Sequence, residues 1–120
     1  MSFQKRFASF AYAGRGIADL FRSQPNARIH ALAAAGVIAA GCFFHLTSVE
    51  WIALCLSVTL VISFEAMNTA LEHLTDLVSP EYHPLAGRAK DAAAGAVLLS
   101  AIGAVVVGLW VFLPRLIVLL

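Results

Sequence analysis

The sequence predicts an all-α integral-membrane protein, and three observations carry that prediction. Of its 120 residues, 61% are hydrophobic and 12% charged, about half the ~25% charged fraction of an ordinary soluble domain. Three apolar stretches approach or reach the ~20 residues that a bilayer-spanning helix needs: "IHALAAAGVIAAGCFFHL" over 29–46, Val49 through Phe64, and Ala92 through Leu113. The basic residues also fall unevenly around these stretches. At this length one domain is expected over 1–120, made of an N-terminal helix over 1–28 and transmembrane helices over about 29–47, 49–78 and 84–114. A net charge of +1 gives no general attraction to nucleic acid.

In the N-terminal segment, Phe3, Phe7, Phe10, Gly14, Ile17 and Phe21 recur at helical spacing, and Lys5, Arg15, Asp19 and Arg22 fall off that stripe. An amphipathic helix with aromatic and basic faces suits the membrane interface. Packing of the stripe on the spans of this chain or a partner fits equally well. Gly14 and Gly16 weaken the helix and are expected to bend it. Charges scattered through the first residues leave no continuous apolar core for a cleavable signal peptide.

The first span carries His30 and His45 at its ends, where water is in reach. The second must continue past Phe64 to complete both its helical pattern and its crossing. "SPEYHP" over 79–84 interrupts the pattern: Ser79-Pro80 ends the second helix and His83-Pro84 starts the third. Pro114 and Arg115 mark the third exit. Lys5, Arg6, Arg15, Arg22 and Arg28 precede the first span, Arg88 and Lys90 lie between the second and third, and the first connection "TSVE" has no basic residue. The excess of Lys and Arg therefore puts the N-terminus and the 79–91 loop in the cytoplasm and the C-terminus on the opposite side. Cys42 and Cys55 lack metal-ligand spacing and read as small apolar residues.

The polar stretch "EAMNTALEHLTD" at 65–76 follows the second apolar run directly. At 100° per residue Glu65, Asn68, Thr69, Glu72 and Asp76 share an arc of roughly 100°. A helix over 49–78 would be about 45 Å long against a ~30 Å hydrocarbon core, so its cytoplasmic end projects. Glu65 then sits near the inner headgroup boundary and Glu72 about 10 Å further out. A carboxylate at the boundary reaches a lipid-borne group; those beyond it reach soluble groups, a divalent cation above all. A solvated acidic face would account for Glu72 and Asp76 but not for Glu65 and Asn68. In "GRAKDAAAG" over 87–95, Lys90 can act as a phosphate-binding point charge, and Asp91 beside it can orient Lys90 or bind another polar group. The bland reading of Arg88 and Lys90 is a pair of positive-inside anchors. "AAAGA" permits close helix approach.

"EAMNTALEHLTD" followed by "SPEYHPLAGRAKDAAAGAVLL" resembles the signature of the prokaryotic diacylglycerol kinase and undecaprenol kinase family: E-x-x-N-[ST]-x-x-E-x-x-x-D, then E-Y-H and A-K-D. The resemblance covers nearly the whole chain. It implies a small kinase of the bacterial inner (plasma) membrane, a homotrimeric helical bundle with sites shared between subunits. Such a kinase moves the γ-phosphoryl of MgATP to a lipid hydroxyl. Carried over by motif position, the resemblance makes Glu65 the general base, beside Asn68, and Glu72 a ligand of the ATP-bound Mg²⁺. Lys5, Tyr12, Glu72, Glu81, Tyr82, His83, Lys90 and Asp91 become ATP contacts, and Lys5 and Glu65 meet the lipid. Many members carry a second metal-binding glutamate where this chain has Gln24, which keeps an oxygen ligand and loses a charge. "HPLAGRAKDAAAGAVLL" reads closer to the undecaprenol kinase branch, with diacylglycerol as the alternative lipid.

Two readings from other classes stand beside this one. A small proton-coupled transporter would also place a glutamate in a membrane helix, but near the midplane, leaving Glu72, Asp76 and Lys90 without a task. A purely structural oligomeric subunit would explain the small-residue faces and not the polar arc.

Overall fold

The computed structural model describes residues 2–120, and among them every regular element is an α-helix: α1 (Phe3–Ser23), α2 (Pro25–Phe44), α3 (Ser48–Val78) and α4 (Pro84–Leu119). The last three are long and apolar enough to cross a membrane, which makes this a multi-pass membrane protein. The 36 residues of α4 extend about 54 Å at 1.5 Å per residue, matching the 54 Å long axis of the molecule.

Each boundary follows from local chemistry. α1 runs as one continuous helix through Gly14 and Gly16. It stops at Gln24, whose backbone is extended (φ −109°, ψ 109°) because a proline follows. Pro25 opens α2 at its first position, where a missing N–H costs nothing. The helix therefore begins four residues before the apolar run does, taking in the polar Asn26 and Arg28. Arg28 Nη2 reaches back 2.9 Å to the Arg22 carbonyl and satisfies a terminal acceptor of α1. His45 ends α2 in the left-handed conformation, at φ 52°.

α3 starts with a capping box. Glu50 N–H donates to Thr47 Oγ1 (3.3 Å) and Thr47 N–H donates to Glu50 Oε2 (3.0 Å). The same Oε2 accepts from Arg115 Nη2 at 2.7 Å, tying the start of α3 to the end of α4. Past Pro114 the helix continues to Leu119, five residues beyond the exit expected from the sequence. Proline removes only its own donor, and with no water available in a bilayer the remaining backbone groups stay paired in the helix. Arg115 Nη1 donates to the Val111 carbonyl at 2.6 Å in the same turn.

α3 and α4 form the principal antiparallel pair, α2 packs on α3, and α1 touches α2 and α3 more lightly. The buried residues of α2 are Ala27, Ala34 and Gly41, small side chains seven apart. Those of α3 are Leu54, Val61, Glu65 and Thr69, at intervals of seven, four and four. Small residues on one seam let membrane helices approach closely. At Gly41 the approach is closest: a Cβ there would lie 2.5 Å from Trp51 Cη2 and 3.0 Å from Leu46 Cδ1. The stripe that is apolar at Leu54 and Val61 turns polar at Glu65 without leaving the helix interface.

Candidate functional site

Glu65 is the most deeply buried acidic residue, 2% exposed on the face of α3 that meets the other helices. A carboxylate in such a place requires donors. Thr69, also buried, donates its hydroxyl to the Glu65 carbonyl at 2.9 Å and so serves the backbone, not the carboxylate. Asn68 directs its side-chain amide outward along the helix, Nδ2 donating to Glu72 Oε1 at 3.3 Å. The nearest ionisable neighbour is His30 of α2, whose Nε2 stands 4.0 Å from Glu65 Oε2. That oxygen and Asn68 Oδ1 are buried and unpartnered among the described residues. Two acceptor oxygens about one helical turn apart thus face inward without a donor from the described residues.

Beyond this point the helix projects, and a small cleft opens where α3 turns into α4. Thr75, Asp76, Ser79, Glu81, His83 and Lys90 are among its lining residues, and Tyr82 and Gly87 complete its rim. Lys90 Nζ and the Asp76 carboxylate form an ion pair across the hairpin. His83 caps α4: its Nδ1 accepts from the Leu85 N–H at 3.1 Å. Ser79 Oγ donates to the Glu81 carbonyl at 2.9 Å and shapes the turn. Tyr82 stands 90% exposed at the tip.

The structure therefore gathers Glu65, Asn68 and Glu72 along one face of α3, and Glu81, Tyr82, His83 and Lys90 around one cleft with Asp76. It does not bring the α1 residues to that cleft. Lys5 and Tyr12 are exposed on α1, with the Arg15 guanidinium 5.4 Å above the Tyr12 ring. Gln24 forms the α1–α2 joint, where its side chain makes no capping bond. The part of α1 that meets α3 is its second half, where Gly16, Ile17 and Leu20 face Ala66, Thr69 and His73. Asp91 is exposed and has no side-chain hydrogen bond among the described residues; the group that orients Lys90 is Asp76, fourteen positions earlier. His30 was read from the sequence only as a boundary residue. Its approach to Glu65 is a contact between helices, which spacing along one helix does not reveal.

Among the described residues no three His, Cys, Asp or Glu side chains cluster into a metal cage. Glu72, one of whose oxygens accepts from Asn68 Nδ2, and Asn68, whose Oδ1 is unpartnered on the buried side, are the nearby oxygen donors. That donor set fits Mg²⁺ arriving on a nucleotide, which takes one or two protein ligands and completes its shell with phosphate and water.

Toward the interior of the helix bundle, an apolar groove of about 280 Å³ starts at His30 and runs between α2, α3 and α4, past Ala34, Val61, Ile62, Ala101 and Ala104. On α3 this apolar space reaches Val61 and Ile62, about one turn before Glu65.

Comparison with known proteins agrees with this arrangement. The model of the family described as prokaryotic diacylglycerol kinase matches residues 11–112. The chain is similar to the undecaprenol kinase of Bacillus subtilis, 44% identical over 110 residues that cover 92% of this chain and 89% of the relative. It is 47% identical over 113 residues to a diacylglycerol kinase of Synechocystis, covering 93% of this chain and 65% of that longer protein. A diacylglycerol kinase of Escherichia coli is 30% identical over 104 residues, 87% of this chain and 85% of the relative. The matched segment contains the buried Glu65 face, the hairpin cleft, α2, α3 and most of α4, and on that basis the chain belongs to the prokaryotic diacylglycerol kinase family.

Proposed function

We propose that the chain is a membrane lipid kinase that transfers the γ-phosphoryl group of ATP to the hydroxyl of undecaprenol, at the cytoplasmic face of the bacterial inner membrane. The observation that carries this reading is the sequence of environments along one face of α3. The face is apolar to Val61, with a buried carboxylate at Glu65, oxygen donors at Asn68 and Glu72, and then a cleft of mixed charge that holds Asp76, Glu81 and Lys90. A lipid hydroxyl approaches from the groove side and a nucleotide from the cleft side.

In the proposed reaction the Glu65 carboxylate accepts the hydroxyl proton while the lipid oxygen bonds to the γ-phosphorus. The bond from that phosphorus to the β–γ bridging oxygen breaks, and ADP carries away the electron pair. Phosphoryl transfer relies on position and charge neutralisation more than on covalent help from the protein. Glu72 and Asn68 would hold Mg²⁺, which neutralises phosphate charge when bound with ATP. Lys90, released from Asp76, would meet the phosphates as a point charge. Glu81, Tyr82, His83 and Asp91 would contact the nucleotide from the tip.

The similarity to the undecaprenol kinase of Bacillus subtilis over nearly all of both chains supports undecaprenol as the lipid. The Synechocystis relative makes diacylglycerol the competing substrate. The cytoplasmic orientation of the N-terminus and the hairpin tip is supported by the basic residues before α2 and at the start of α4. Exposed Phe3, Phe7, Phe10 and Ile17 support an interfacial position for α1. A homotrimer is supported by the separation of Lys5, Tyr12 and Gln24 from the cleft of their own subunit: in an oligomer a neighbour's α1 can complete it. Membership of a kinase family leaves the transporter and structural-subunit readings with no observation in their favour.

The test is phosphate transfer from labelled ATP by the purified chain in mixed micelles, with undecaprenol and diacylglycerol offered in parallel. Preferential labelling of undecaprenol is expected. Preference for diacylglycerol would reverse the substrate assignment, and labelling of neither would remove the kinase reading.

A further inference from the structure

We propose that His30 is a positioning residue for Glu65, donating Nε2–H to Oε2 so that the other carboxylate oxygen faces the lipid hydroxyl. This deepens the kinase reading and rests on it for the role of Glu65. The contact itself rests on an accounting of donors around a carboxylate that is almost completely buried.

On α3, Asn68 has given its amide to Glu72 and Thr69 its hydroxyl to the backbone. On α4, the Ser100 hydroxyl goes to the Val97 carbonyl at 2.7 Å and Lys90 is held by Asp76. None of these serves Glu65, and its Oε2 has no partner. His30 is the one remaining donor within reach, at 4.0 Å, its side chain 26% exposed beside a carboxylate only 3% exposed. About 1 Å of approach turns this into a hydrogen bond of ordinary length, and catalytic hydrogen bonds commonly tighten to that extent when substrate binds.

The geometry also gives the pair a direction. His30 lines the apolar groove and stands beside the Glu65 carboxylate, so the imidazole links the two. A base that is free to rotate there would spend part of its time turned away from the hydroxyl. One fixed oxygen removes that freedom, as neighbours do for the ligands of a metal site. His30 touches the base and moves no proton in the reaction.

Two measurements test this. The chain has four histidines, so selective ¹⁵N-histidine labelling in micelles gives a spectrum simple enough to assign. Glu65→Gln is expected to move the His30 ring resonances and leave those of His45 and His83 in place. In the micelle assay, His30→Leu is expected to lower turnover by about tenfold or more with both KM values held within about twofold, and His30→Gln, which keeps a donor at the Nε2 position, to recover most of the loss. The proposal is overturned if the His30 resonances ignore Glu65→Gln, if His30→Leu stays within about threefold of the parent, or if His30→Gln is as slow as His30→Leu. A parent chain that phosphorylates no lipid would remove the kinase reading alone, and the histidine spectrum would still decide the contact.

Discussion

Gln24 at the α1–α2 joint and Asp76 opposite Lys90 each admit a test by a single substitution. If a neighbouring Gln24 joins the metal shell, Gln24→Glu adds a negative charge to a two-oxygen protein donor set. The Mg²⁺ concentration for half-maximal activity should then fall several-fold, about 1 kcal/mol or more; an unchanged requirement in a magnesium titration would place Gln24 outside the shell. Asp76 holds Lys90 across the hairpin, so Asp76→Asn should alter KM for ATP by about threefold or more while KM for the lipid stays constant. Equal effects on both constants in steady-state kinetics would argue that the pair acts on the fold. The residues of this site were legible in the sequence to the extent that one helix contains them: Glu65, Asn68, Thr69, Glu72 and Asp76 share a face by arithmetic alone. The pairings His30–Glu65 and Lys90–Asp76 were not legible, because each joins two helices whose register depends on packing. Asp91 looked like the partner of Lys90 only because it is adjacent in the chain, and adjacent residues on a helix do not face each other.

At the scale of elements, apolar length foretold the three long helices and the prolines foretold the hairpin ends at Val78 and Pro84, while the start of α2 and the end of α4 lie outside the expected bounds. α2 starts earlier than its apolar run because Pro25 fixes the first turn, and α4 outlasts Pro114 because a membrane offers its backbone no other partners. The close approach of α2 to the start of α3 depends on Gly41. Gly41→Ala would push a methyl into the Trp51 ring and is expected to destabilise the chain by roughly 1–3 kcal/mol. A thermal unfolding scan in detergent should show the midpoint falling; a midpoint equal to or above that of the parent would mean that Trp51 swings aside without loss. At the same end, Glu50 serves at once the capping box of α3 and the guanidinium of Arg115, so one carboxylate fixes both the start of a helix and its pairing with the next.

For the whole molecule, the uneven distribution of polar groups states the function: a largely apolar three-helix body, one buried carboxylate at its edge, and a charged cleft beyond. The α1 residues lie away from that cleft in a single subunit, so the proposed trimer makes a prediction of its own. Mixing and reassembling two poorly active variants, Lys5→Ala and Glu65→Gln, should restore about a quarter of parental turnover if each site draws α1 and α3 from different subunits. Turnover no higher than the average of the two variants would place the complete site within one subunit. The central claim is that Glu65 takes the proton from a membrane lipid, and it is tested most directly by Glu65→Gln in the undecaprenol assay, with ATP binding measured on the same sample. The account predicts that phosphate transfer falls by about a hundredfold or more while ATP binds as before and the oligomer remains intact. Near-parental transfer by Glu65→Gln would contradict it.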